Sequence, residues 1–171
     1  GSKSKTPSLG GGSPMGGMGG LGNIGENSSG VVENAERVQN IFCSEANPFD
    51  TETPCLVWRH IICQSMSTKA ENVRTNPREF IRQTLKAGGS GEANGQSIVA
   101  ILNEVLPFNF EETAYTQSLN KTQRIEHSIP MLVVLVNALV GTTRTIIAFD
   151  QAHFLDEHSW MMAFHVHRKI T

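Results

Sequence analysis

A cluster of polar side chains follows one short apolar run, and its residue types suit the handling of a metal-bound ligand. The run is Ile146 to Phe149, and it is followed by Asp150, Gln151, His153 and Asp156. Four apolar residues without a charge predict a short strand buried on both faces, as in a parallel sheet. A carboxylate at the carboxyl end of such a strand lies where open α/β sheets place ligand-handling residues. At that position Asp150 can help to hold Mg²⁺ on the phosphates of a nucleotide.

The same residues also permit a purely structural interpretation. A core strand can simply be followed by a polar turn that caps the next helix. Taken alone, four apolar residues and one aspartate favour this interpretation. The functional hypothesis therefore depends on the rest of the chain.

Composition limits the classes of protein that the chain can belong to. With 171 residues, 39% of them hydrophobic, it suits one domain at most or a piece of a larger one. Residues 1–30 contribute little to a core, which leaves roughly 135 residues for a modest one. The net charge is −2 and no block of lysine or arginine is present, which argues against nucleic acid or an anionic membrane as a partner.

The cysteines and the apolar segments indicate a compartment. Cys43, Cys55 and Cys63 form no C-x-x-C pair, and an odd number argues against a disulfide framework. A reducing, cytoplasmic location is therefore expected. No signal-peptide pattern is visible. The most apolar window, Met131 to Phe149, contains polar residues and glycine, so we expect a buried helix and strand and no membrane span.

The first 30 residues form a segment of low complexity. They are rich in Gly, Ser, Pro and Met, and such a composition predicts a flexible segment. Lys3 and Ser4 follow a glycine-serine pair, and a phosphate-binding P-loop ends in Gly-Lys-Ser/Thr. Three interpretations of Lys3-Ser4 are open: the tail of a P-loop, a chance match in a Gly/Ser tract, and a cloning remnant.

Periodicity and capping signals predict the elements of the remaining chain. Helical start and stop signals, with apolar spacing between them, predict five helices after a weakly helical segment at 31–38. They run from Thr53-Pro54 to about Ser67, from Asn76 to Gly88, over Ile98–Val105, over Lys121–Leu139 with Pro130 inside, and over Ser159–His167. Gln39–Ser44 is a predicted strand, and Gly88–Gly95 a flexible connector. The order predicts an α/β fold in which two strands are visible, fewer than a doubly wound sheet needs.

Several of these motifs, in this order and spacing, resemble one family. It is the STAND-type, AAA-like P-loop ATPase module that follows the catalytic domains of soluble adenylyl cyclases and cyclase-like signalling proteins. The resemblance covers roughly residues 38–168. It is carried by Pro54, Trp58-Arg59, Leu102–Phe110, Glu112-Thr113, Leu119–Glu126, Phe149–Asp156 and Ser159-Trp160.

The resemblance implies a fold, a cofactor and partners. Residues 31–171 would be a partial P-loop ATPase domain, a three-layer αβα sandwich with an incomplete parallel sheet, running from after the P-loop to just past the Walker-B strand. The implied cofactor is Mg-ATP. The implied partners are other domains of the same polypeptide, including cyclase domains and C-terminal helical repeats, and the implied role is signal transduction linked to cyclic-nucleotide synthesis.

The resemblance also assigns residues. Asp150 would be the Walker-B carboxylate that positions Mg²⁺, and Gln151 would stand where the family usually has a second acid. His153 and Asp156 belong to the family signature without an assigned chemical role. A neutral amide orients water but does not accept its proton, so the chain is expected to bind nucleotide better than it hydrolyses it. The alternative is a nucleotide-free scaffold that descends from an ATPase.

Other residue groups have simpler interpretations. His153, His158, His165 and His167 lie close in sequence, but their spacing matches no common zinc pattern. No G-x-S-x-G motif supports a hydrolase triad. Five further residues are expected to be structural: Cys43 as a buried cysteine, Trp58 and Trp160 as core residues, and Arg124 and Arg144 as solvated or salt-bridged arginines.

Overall fold

The computed structural model describes residues 39–50, 53–93, 95–141 and 143–170. The flexible segment predicted at 1–30, the helix at 31–38 and the P-loop candidates Lys3 and Ser4 lie outside these ranges. The described elements follow one another along the chain as strand β1 Asn40–Glu45, helix α1 Leu56–Ser67, α2 Glu71–Thr75, α3 Pro77–Ala87, strands β2 Glu92–Ala93 and β3 Gln96–Ser97, α4 Ala114–Ser118, α5 Lys121–Val140, β4 Thr145–Asp150 and α6 Glu157–Ile170. Short 3-10 helices occupy Pro48–Asp50, Val99–Glu104 and Ala152–Phe154.

Strands β1 and β4 pair in parallel, although about a hundred residues separate them. The register places Asn40 opposite Thr145 and Glu45 opposite Asp150. Parallel neighbours need a crossover connection, which helices α1 to α5 provide here. The predicted α/β class is confirmed, as are the two predicted strands: β1 is shifted by one residue, and β4 is longer than the predicted run by one residue at each end.

The two faces of this small sheet have different surroundings. Phe42 and Ser44 point inward and are buried, and the ring of Phe149 makes an edge contact with Trp58 of α1 at a centroid distance of 5.0 Å. On the opposite face Ile41 is 65% exposed and its partner Ile146 is 45% exposed. The prediction that Ile146 to Phe149 is buried on both faces was therefore wrong. Successive side chains of a strand alternate, and the described helices cover one face.

Helix α1 supplies much of the core. Trp58, Ile61, Ile62 and Met66 are all buried, as their spacing predicts. The start of the helix was predicted wrongly, because the helix begins at Leu56 and not at Pro54. The residue before it, Cys55, has a left-handed backbone with φ of 56°. A contact with a distant carboxylate holds Cys55 there, and local sequence signals do not reveal such a contact.

Around α3 the capping signals were accurate, but the connections were not. The Asn76 side chain accepts the Glu79 N–H at 3.3 Å, and Gly88 ends the helix, both as predicted. The predicted flexible connector Gly88–Gly95 contains strand β2, which pairs antiparallel with β3 just after the connector. The helix predicted over Ile98–Val105 is a 3-10 helix at Val99–Glu104. The short helix α2 was not predicted.

Helix α5 agrees with its prediction and leads directly into β4. Asn120 and Gln123 form a reciprocal capping box at its start, and Gly141, with φ of 60°, ends it. The apolar second half of the helix is largely buried, with Met131, Leu132 and Leu135 at its centre. Within the described ranges, no helix combines the length and apolarity that crossing a membrane requires.

Of three residues expected in the core, one is buried and two lie at the surface. The buried residue is Trp58, whose indole N–H donates to the Ser159 carbonyl at 3.0 Å. Trp160 is 53% exposed, because α6 turns the face with Met162 and Val166 toward the core. Cys43 is also exposed, since it lies on the open face of β1. The core predictions for Trp160 and Cys43 were therefore wrong.

Candidate functional site

The carboxyl ends of β1 and β4 place two acidic residues side by side. Glu45 and Asp150 are register partners in the parallel pair, and both are exposed. The chain after β1 stays attached to this edge, because the Ala46 N–H donates to the Asp150 carbonyl at 3.0 Å. Neighbouring strands of a sheet lie about 4.8 Å apart, so the two side chains leave the sheet close together. The result is a negatively charged edge that faces solvent.

Gln151 connects these two acids through its backbone and its side chain. Its backbone is left-handed, with φ of 50° and ψ of 42°. Its N–H donates to Oδ1 of Asp150 at 2.8 Å. Its side-chain amide donates to Oε1 of Glu45 at 2.7 Å. Glu45, Asp150 and Gln151 therefore form one hydrogen-bonded cluster, which we call the edge cluster.

Sequence reasoning did not identify Glu45 as part of this site. A signal for it was present, because Glu45 ends the first predicted strand much as Asp150 ends the second. The pairing of those two strands was the missing information. Only the register of β1 against β4 brings the two acids to the same edge.

Asp156 lies a short distance along the chain and has a structural role. Its carboxylate accepts the Ser159 N–H at 2.9 Å and the Ser159 hydroxyl, which caps the start of α6. The same carboxylate accepts the Cys55 N–H, at 3.3 Å from Oδ2, and so connects α6 to the start of α1. These contacts agree with the polar turn and helix cap of the structural interpretation for this part of the motif.

His153 lies in the turn between β4 and α6. It lies in the 3-10 helix Ala152–Phe154 and is exposed, and its ring contacts the Phe154 ring at a tilt of 44° and a centroid distance of 3.9 Å. The other C-terminal histidines are not gathered around a common centre. Within the described ranges, no three His, Cys, Asp or Glu side chains are placed to hold a metal ion.

The donor set of the edge cluster suits one type of metal site. Two carboxylates and an amide oxygen are hard oxygen ligands, and Mg²⁺ usually keeps several waters and takes one or two carboxylates together with substrate phosphates. Asp150 and Glu45 fit a site in which the protein and a phosphate together bind the ion. A site made of protein ligands alone would need more oxygen ligands than this cluster offers. The edge cluster therefore fits an ion that arrives with a phosphate ligand.

Burial and ion pairing shift the pKa values of some side chains in the described ranges. Burial, and secondarily the charge of Asp156, raises the pKa of the Cys55 thiol to about 12.

Glu112 forms a two-point ion pair with Arg124, at 2.9 and 3.1 Å, which lowers the pKa of Glu112. The prediction that Arg124 is salt-bridged is confirmed. Arg144 is exposed, just before β4, and its carbonyl accepts the Gln39 N–H at 2.9 Å.

Comparison with known proteins adds no relative. No family model, no curated protein and no solved structure matches this chain.

Proposed function

We propose that this chain is part of a P-loop ATPase domain of the STAND or AAA-like type, in which the edge cluster helps to bind Mg-ATP. The chain would span the region from after the P-loop to just past the Walker-B strand β4. The domain would regulate a larger signalling protein, linked to cyclic-nucleotide synthesis, with slow hydrolysis or none. The proposal rests mainly on one observation, the exposed Asp150 at the carboxyl end of a parallel strand with Glu45 beside it.

The uncovered face of the sheet supports a larger, three-layer αβα domain. Ile41 and Ile146 form an exposed apolar pair on that face. Parallel strands are normally covered on both faces, because their crossover connections run over both. A further layer from the same polypeptide would cover this pair, and the other domains of that polypeptide are the partners that we propose.

Each residue of the edge cluster has a distinct part in this proposal. When bound, Mg²⁺ would neutralise charge on the ATP phosphates. Asp150 offers a carboxylate to the ion, and its Oδ1 is oriented by the Gln151 N–H. Gln151 can orient a water molecule but cannot take its proton, and Glu45 already holds the Gln151 amide. The arrangement therefore favours binding over hydrolysis.

The test is calorimetry with Mg-ATP on the natural full-length polypeptide that contains this chain. Asp150→Asn keeps the shape of the side chain and removes its charge, and we expect affinity to fall about tenfold or more. Glu111→Gln is the matched control, since Glu111 is also an exposed acid. Equal affinity of Asp150→Asn and Glu111→Gln, or no binding by a polypeptide with an intact G-x-x-x-x-G-K-[ST] loop, would contradict the proposal.

A nucleotide-free scaffold is the second candidate function. Gln151 stands at the position from which a catalytic acid would act, and its amide is already hydrogen-bonded to Glu45. A domain without catalysis, such as a scaffold, is favoured by this arrangement. The exposed pair Ile41 and Ile146 also suits a surface that holds a partner domain. The same calorimetry separates the two candidates, since a scaffold gives no heat with Mg-ATP.

A further inference from the structure

A second candidate site lies between helices α5 and α6, apart from the edge cluster. The two helices contact each other, and residues of both line a cavity of about 590 Å³. Most of its wall is aliphatic, from Ile129, Pro130, Val133 and Val134 of α5 and Met161 of α6. Cavities that hold small molecules commonly measure about 300–1,000 Å³ and are mostly apolar, so this one has a suitable size and lining.

The sequence of α5 explains the floor of the cavity and one side of its rim. Ile129 and Val133 are only 4% and 5% exposed, so they form a floor that belongs to the core. Pro130 lies between them in sequence, on the exposed side of the helix. A proline has no N–H, so the carbonyl of Glu126 lacks its usual helical donor.

The opposite rim is basic. His165, Arg168 and Lys169 line the cavity from α6, where the spacing of Met161, His165 and Arg168 places them along one side of the helix. The Arg168 guanidinium lies over the Phe164 ring, 5.5 Å from its centroid. Within the described residues, Glu126 is the one acidic side chain in the lining, against two full positive charges. Such a rim attracts an anion.

We propose that this cavity binds a small amphipathic carboxylate, a molecule with one aliphatic chain and one anionic end. The aliphatic chain lies on Ile129, Val133 and Met161, and the carboxylate pairs with Arg168 and Lys169. Arginine suits this part, because its planar guanidinium can donate two parallel hydrogen bonds to one carboxylate. The charge of the rim selects an anion over a neutral lipid, and the apolar lining selects an aliphatic chain over a purely polar anion.

The test compares two ligands that differ only in their charged group. Decanoate and decanol are titrated separately into the full chain by calorimetry, below the concentration at which decanoate forms micelles. We expect decanoate to bind saturably with one site, and decanol to bind about tenfold more weakly because it lacks the charge-assisted contact. No saturable decanoate binding, or equal binding of the two ligands, would overturn the proposal.

Two variants locate the binding on the cavity. Arg168→Ala removes an exposed side chain, so it should fold normally and weaken decanoate about tenfold. Arg78→Ala, an exposed arginine on α3 outside the cavity lining, is the control and should leave binding unchanged. Met161→Trp fills part of the cavity and should weaken both ligands. Equal effects of Arg168→Ala and Arg78→Ala would contradict the assignment.

Sedimentation and competition on the same samples test whether the cavity binds something other than a carboxylate. A monomer whose mass is unchanged on decanoate binding supports the proposal. Self-association that Arg168→Ala abolishes would overturn it in favour of a second copy of the chain. Displacement of decanoate by an acidic amphipathic peptide that binds more tightly would overturn it in favour of a helix-binding groove.

Discussion

The carboxylate of Asp156 accepts the backbone N–H of Cys55, which lies 101 residues earlier in the chain. The same carboxylate accepts the N–H and hydroxyl of Ser159. One side chain therefore satisfies donors at the starts of α1 and α6, two helices that also meet where Trp58 donates to the Ser159 carbonyl. Helix starts have N–H groups without internal partners, which explains why an acid is stable at this junction.

Removal of this acid should destabilise the fold without touching the edge cluster. We expect Asp156→Ala to lower the free energy of unfolding by about 2 kcal/mol, since both helix starts lose an acceptor. Asp156→Asn keeps one acceptor oxygen and should cost less. Urea unfolding followed by circular dichroism measures both variants. Glu157→Ala is the control in the same turn, and a loss as large as that of Asp156→Ala would show that only helix-terminal charge matters.

Because the Gln151 amide donates to Glu45, we expect that an acid introduced at position 151 will be repelled by the Glu45 carboxylate. Gln151→Glu alone places two carboxylates at hydrogen-bond distance, and one of them will be protonated at a higher pH than an isolated carboxyl group. The folded variant then holds more protons at this pair than the unfolded one, so the contribution of the pair to stability is largest in acid and is lost as pH rises. Unfolding measured from acid to neutral pH checks this slope.

The exchanged pair Gln151→Glu with Glu45→Gln removes that repulsion. One amide and one carboxylate still face each other, so we expect stability near that of the natural chain at neutral pH. In a polypeptide that binds ATP, the exchanged pair should also raise turnover, because an acid then stands where a proton must be accepted. An unchanged rate with intact binding would remove residue 151 from the mechanism.

The ion pair between Glu112 and Arg124 should contribute to stability in a pH-dependent way. The Arg124 hydrogen bonds lower the pKa of Glu112, so the folded state favours its ionised form. This contribution is present above the pKa of the unfolded chain and is lost as pH falls through the lowered pKa of the folded state. We expect Glu112→Gln to cost about 1 kcal/mol at neutral pH and little in strong acid.

Urea unfolding at neutral and acidic pH measures this difference. Glu111→Gln is the neighbouring control, since Glu111 is exposed. A double-mutant cycle with Arg124→Met should recover a favourable coupling energy at neutral pH. A cost of Glu112→Gln that is equal at both pH values would show that the side chain matters by packing alone.

The three thiols should react in an order set by exposure and pKa. Cys43 is exposed, whereas burial raises the pKa of Cys63 and raises that of Cys55 to about 12. Because the thiolate is the nucleophile, iodoacetamide should modify Cys43 first, Cys63 more slowly and Cys55 last. Peptide mass spectrometry over time measures the order, and in urea the three rates should converge. Equal rates for Cys43 and Cys55 in the folded chain would contradict the burial of Cys55.

Local signals in the sequence were sufficient for most elements. The Asn76 cap, Gly88 and Gly141 ends, and the apolar face of α1 are short-range features, because a helix satisfies its hydrogen bonds within a few residues. The same holds for β4, whose apolar run is bounded by polar residues. Where a second distant segment sets the conformation, as at Cys55, the local signal pointed to the wrong residue.

The candidate site divides in the same way. The sequence by itself determined that Asp150 ends a strand and that Gln151 is no acid, since both follow from residue type and order. Only the tertiary structure decided that Glu45 stands beside Asp150, that Gln151 binds Glu45, and that Asp156 is a cap for two helices. It also decided that Ile146 and Trp160 face solvent. Pairing register and helix packing depend on contacts between distant segments, and neither composition nor periodicity specifies which segments meet.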